Sequence, residues 1–295
     1  MEASKDARAR AAAHFFQSGD ASHRDALVRE AQSSGDPQIY AWAYAACSRP
    51  DAVGGACQLI STEQWIRLDT SNAFPWLAIG MEAKQRNDTA ALDDAMFHVA
   101  TAARMDAGWG QLPSALLEHV PPGDVNLLGA YGLVTDGFGV DAGVPIHYFT
   151  ASQYCKADKL ADANRRETCE RIAHLFVERS MTVTDTMVGT LIGNRLGWPA
   201  ERLRSLQQER EVLFNTSIVE SEFDPSSSCD ELRHKLERVR ALASAGELNT
   251  LRREREASGT SVAQLGAAYK RVLDRWEERA QRNQAAASAT DALAR

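Results

Sequence analysis

Glu170, His174 and Glu178 recur every fourth residue, which sets a carboxylate, an imidazole and a second carboxylate on one face of a helix. Such a row could be half of a carboxylate–histidine centre. It is equally the ordinary side-chain pairing of a solvated helix. Cys229 stands beside Asp230 and near His234, the surroundings of a reactive thiolate at a helix N-terminus or of a leftover free thiol. Gly137-Phe138-Gly139-Val140-Asp141-Ala142-Gly143 is rich in glycine but lacks the Gly-Lys-Ser/Thr ending of a phosphate loop. There is no Gly-x-Ser-x-Gly elbow, no HExxH and no Cys-x-x-Cys, and no two of the seven histidines lie four residues apart. The expectation is a non-catalytic protein with no metal and no cofactor.

The cysteines carry more information. Cys47 and Cys57 flank one predicted inter-helix turn, and Cys155 and Cys169 flank another. Two short-range pairs predict two disulfide staples across helix junctions, each contributing about 3 kcal/mol in the chain-entropy picture. The competing state is five reduced cysteines acting as small apolar residues. Disulfides persist in a periplasm or outside the cell. The first residues, Met1-Glu2-Ala3-Ser4-Lys5, carry no apolar leader core. The expectation is therefore a periplasmic protein whose leader has been removed or replaced, with a cytoplasmic protein as the alternative.

The elements that must position these residues are helical. Of 295 residues, 44% are hydrophobic and 25% charged, enough for a sizeable core. Alanine is the commonest residue and β-branched residues seldom alternate with polar ones, which favours helix over strand. A net charge of −7 and a pI near 5.6 argue against non-specific nucleic-acid binding. No run of apolar residues is long enough for a membrane span. Apolar periodicity predicts helices over about 5–17, 22–34, 36–47, 54–68, 75–83, 90–100, 112–119, 123–136, 144–155, 165–179, 182–196, 199–221, 229–244, a short one ending near 258, and 260–283. Asp36 followed by Pro37 predicts a capped helix start, and Ser228 another.

One stretch resembles a tetratricopeptide-like helical repeat. Pro75-Trp76-Leu77-Ala78-Ile79-Gly80 opens a helix, Arg86-Asn87-Asp88 forms a turn, and Ala90 to Ala100 supplies the partner helix with Ala95 at the crossing. Gly80 would let the two helices touch, and Trp76 would wedge against the preceding unit. The segment 36–68 looks like a degenerate copy with Trp42 in place of Trp76. Ala83 stands where the repeat pattern calls for tyrosine, and the resemblance covers about residues 20–105. It implies a concave face that binds another protein. The residues such a face would display are Tyr40, Trp42, Tyr44, Trp76, Asp88, Asp93 and Asp94, with Trp65 beside them; the tryptophans could equally be inter-helix core.

The expected organisation is all-α: antiparallel helix hairpins stacked as a tetratricopeptide-like array over 1–105, a Gly/Pro-rich junction over 106–155, a C-terminal helical domain over 156–284 and a tail over 285–295. The expected function is protein–protein interaction in the bacterial cell envelope, as an immunity-type inhibitor of a periplasmic toxin or as an assembly or secretion adaptor. The alternative is an all-α enzyme, or a lipid or small-ligand binder, with its site in the junction around Asp136, Asp141, His147 and Tyr148.

Overall fold

A computed structural model describes residues 4–52, 54–120, 126–141, 147–179, 181–219, 228–264, 266 and 267. They are helical throughout, and the pairing of Asn72 with Arg104 is an isolated bridge rather than a strand. The helices are α1 (Ala7–Phe16), α2 (Ala21–Ser34), α3 (Pro37–Cys47), α4 (Thr62–Leu68), α5 (Ala73–Gln85), α6 (Thr89–Thr101), α7 (Gln111–Leu117), α8 (Leu127–Asp141), α9 (Tyr148–Tyr154), α10 (Ala163–Glu178), α11 (Val183–Leu196), α12 (Ala200–Val219), α13 (Cys229–Ala245) and α14 (Glu247–Ser258). No described helix is long and apolar enough to cross a membrane.

Short polar residues begin most of these helices. Asp6, Asp20, Asp36, Asn72, Asp88 and Asp162 each accept a hydrogen bond from a backbone N–H of the first turn. Thr182 and Ser228 make reciprocal capping boxes with Asp185 and Glu231. Each cap contributes about 1 kcal/mol by satisfying donors the helix itself cannot.

The predicted helix over 54–68 is two elements, a 3-10 turn at Gly55–Leu59 and then α4. The break comes from Ser61, which caps α4 through its hydroxyl and is held by the Tyr40 hydroxyl, a donor to its carbonyl and an acceptor from its N–H. The predicted helix over 123–136 lies later, as α8, and runs on through Gly137 and Gly139 to Asp141. Most of the helix predicted over 260–283, and the tail after it, lie outside the described residues.

α5 and α6 form a helical hairpin through the turn at Arg86–Asp88, where Asn87 takes a left-handed conformation at φ 56°. A Cβ on Gly80 would lie 2.6 Å from the Met96 terminal methyl, so the glycine does bring the two helices together. α10 and α11 pair in the same way. There a Cβ on Gly189 would lie 2.9 Å from the Ala173 carbonyl oxygen.

The core does not follow the sequence boundaries. One cluster of buried residues runs from Ala11 to Trp198 and crosses both ends of the 106–155 junction. α1 packs on α7, α6 on α10, and α13 on α7 and α8, so elements distant in the chain meet. In a linear repeat array each unit touches only its neighbours; here the packing also closes across the molecule. Both cysteine pairs stand at disulfide distance. Cys47–Cys57 ties the end of α3 to the 3-10 turn with Cα atoms 5.4 Å apart, and Cys155–Cys169 ties the end of α9 to α10 at 5.7 Å. Cys229 is an exposed free thiol at the first position of α13.

Candidate functional site

The acidic and aromatic residues expected on a binding face divide into two groups. Tyr40 and Trp42 are 0% and 1% exposed, so they belong to the core and line no surface. The reason is the position of α3, which is enclosed by α1, α2 and α4 and buries Trp42 against Phe15. Tyr44 and Trp65 are buried as well. The Tyr44 hydroxyl donates to Glu82 at 3.2 Å, and Thr62 donates to the other oxygen of that carboxylate.

Trp76 is half-buried at the edge of the core, and the acidic residues lie outside it. The Trp76 indole stacks on His98 of its own hairpin, with centroids 3.9 Å apart and 12° between planes. His98 lies 3.9 Å from the Asp94 carboxylate one turn before it. Phe97 meets the edge of the same imidazole at 5.8 Å and remains 54% exposed. Asp88 caps α6 and is exposed, about 9 Å along the axis from Asp94. Asp93 instead bonds Arg165 of α10 at 2.7 Å and fastens the hairpin to the rest of the molecule. The outer face of α5 and α6 thus presents two stacked rings, an open phenyl ring and two carboxylates. Phe97 and His98 were not singled out in the sequence, because a helical stripe does not say which of its aromatics faces solvent.

The junction residues do not form one site. His147 and Tyr148 line different cavities, Asp136 is exposed and lines neither, and the Asp141 side chain lies outside the described residues. His147 borders a cavity of about 430 Å³ walled by Tyr44, Trp65 and Phe74. Its Nδ1 is buried without a hydrogen-bond partner among the described residues, and loss of solvation lowers the imidazole pKa to about 4. Burial likewise raises the Tyr44 hydroxyl well above the usual phenol range. Tyr148 lies near Asp185, a carboxyl group with 0% exposure whose Oδ1 has no hydrogen-bond partner among the described residues. Asp185 accepts from the Met181 and Thr182 N–H groups, but burial outweighs these bonds and raises its pKa to about 7. The ring of Tyr148 borders the second cavity, an open groove of about 600 Å³ between α9, α11 and α12.

The Glu170–His174–Glu178 row is a surface network. Glu178 bonds His174 Nδ1 at 2.6 Å, and Glu170 accepts from the Trp198 indole at 2.6 Å. Arg202 lies over the Trp198 ring and against Glu178. Comparison of the chain with protein-family models, with curated proteins and with solved structures finds no match.

Proposed function

We propose that this chain is a non-catalytic protein-binding protein of the bacterial periplasm and that it docks its partner on the outer face of the α5–α6 hairpin. The observation that carries the proposal is the exposed Phe97 ring, set beside the Trp76–His98 stack and the exposed Asp94 carboxylate that faces His98. An aromatic anchor with a charged rim is the composition of a protein interface. The stack restrains the rings before binding, which lowers the entropy cost of ordering them in a complex. Asp88, Asp94 and a net charge of −7 favour a partner with a basic surface. The two cysteine pairs at disulfide distance support an oxidising compartment. Within this class, neutralisation of a basic toxin and service as an envelope adaptor require the same rigid complementary face.

A photo-crosslinking amino acid in place of Phe97 tests the proposal in periplasmic extract, with the same substitution at Leu59, 60% exposed, as the control. The expected result is one adduct with a basic protein at position 97, none at 59, and loss of the adduct in Asp94→Lys. Equal labelling at both positions would remove this face from the function.

A further inference from the structure

Three of the six large apolar side chains that are exposed among the described residues lie in one place. Phe149 is 70% exposed, Met187 49% and Leu191 42%, and all three line the groove between α9, α11 and α12. The remaining three, Leu59, Phe97 and Leu128, are elsewhere. Apolar surface left in water costs about 25 cal/mol per Å², so a cluster of this kind marks a surface that is covered in use.

The groove has a direction. Its α11 wall runs from Thr184 to Asn194, about 15 Å along a helix. α12 follows after Gly197-Trp198-Pro199 and folds back along α11, so Leu203 lies toward the Leu191 end and Arg210 toward the Thr184 end. Arg210 is half-buried and makes no ion pair or hydrogen bond among the described residues. No carboxylate lines the groove among the described residues. Glu211, the next residue along α12, accepts from the groove-lining Gln207 amide at 3.0 Å, Asp185 is buried, and Glu247 accepts from the Val183 N–H at 2.8 Å. Arg210 is thus the one charged side chain among the described residues that line this apolar channel, and it stands at one end without a direct ion pair among them.

We infer that this groove is a binding site for a single-chain amphiphile with a carboxylate head, a free long-chain fatty acid, whose chain covers Phe149, Met187 and Leu191 and whose carboxylate pairs with Arg210. The volume of about 600 Å³ falls within the roughly 300–1,000 Å³ of small-molecule sites. A docked protein helix would need an interface of about 1,000 Å² or more, beyond what this short channel offers. A linear chain needs only the narrow apolar trough, and a carboxylate matches the planar fork of a guanidinium. The groove shares no residue with the α5–α6 face, so the two proposals stand or fall separately.

Displacement of 11-(dansylamino)undecanoic acid by palmitate tests the inference on the full oxidised chain, below the concentration at which palmitate forms micelles. Palmitate is expected to displace the probe, and 1-hexadecanol, with the same chain and no charge, to bind at least about tenfold more weakly, the share of a charge-assisted hydrogen bond. Arg210→Gln should erase that difference between acid and alcohol, whereas Leu191→Glu should abolish binding of both. Equal binding of palmitate and hexadecanol by the native chain would overturn the inference. So would palmitate binding that is unchanged in Leu191→Glu, or displacement only by a peptide.

Discussion

His147 and Asp185 lie within a few residues or one contact of Tyr148, and both are buried, yet they respond to pH in opposite senses. The folded state holds His147 near 4 against an ordinary value of 6.5, so it binds fewer protons than the unfolded chain. Its contribution is present above pH 6.5 and is lost as pH falls toward 4. The folded state holds Asp185 near 7 against 3.8, so it binds more protons than the unfolded chain. That contribution is present below pH 3.8 and is lost as pH rises toward 7. The two slopes oppose one another across the same window. Denaturant midpoints measured from pH 4 to 7 should therefore be flatter for the native chain than for either variant. His147→Phe should lose stability as pH rises, and Asp185→Asn should gain it. Neither behaviour is legible in the sequence, where His147 and Tyr148 read as neighbours in one junction. Consecutive side chains diverge into separate cavities because the start of a helix rotates each residue by about 100° from the last.

At the scale of elements, the contacts between helices rank the glycines. A methyl group on Gly80 meets only side chains, the flexible end of Met96 and the Thr150 methyl at 3.1 Å, while one on Gly189 meets the Ala173 carbonyl oxygen and the Phe176 Cβ, which cannot give way. Gly189→Ala is expected to destabilise by about 1–3 kcal/mol through overpacking. Gly80→Ala is expected to be near neutral, because helix propensity returns about 1 kcal/mol; thermal unfolding distinguishes the two. The cysteine pairs act at the same scale. Non-reducing peptide mass spectrometry should recover the 47–57 and 155–169 links. Replacing either pair by serine should cost about 2–4 kcal/mol, since each link restrains the unfolded chain. Helix starts were readable because caps are local: Asp36-Pro37 and Ser228 cap where their types predict. The interruption at Ser61 was not, because it depends on the Tyr40 hydroxyl, twenty-one residues away.

For the whole molecule, charge and exposure set the expected behaviour. If a basic partner approaches the α5–α6 face, Asp94→Lys should slow association and weaken its salt dependence, while Phe97→Ala should mainly raise the dissociation rate. Surface plasmon resonance with the cross-linked partner reads both. The division into a repeat half, a junction and a second half followed real changes in glycine and proline content, but the buried cluster from Ala11 to Trp198 ignores it. Burial is a sum over all neighbours, including α7 against α1 and α10 against α6. The sequence by itself determined the all-helical class, the helix caps, the Gly80 contact and the cysteine pairing, because hydrophobic period, turn chemistry and short chain separation act between residues close in the chain. Only the tertiary structure decided that Tyr40 and Trp42 are core while Trp76 is half-buried and Phe97 faces outward, and that an apolar channel ends at Arg210, because side chains of one type and spacing take opposite roles according to which distant helix covers them.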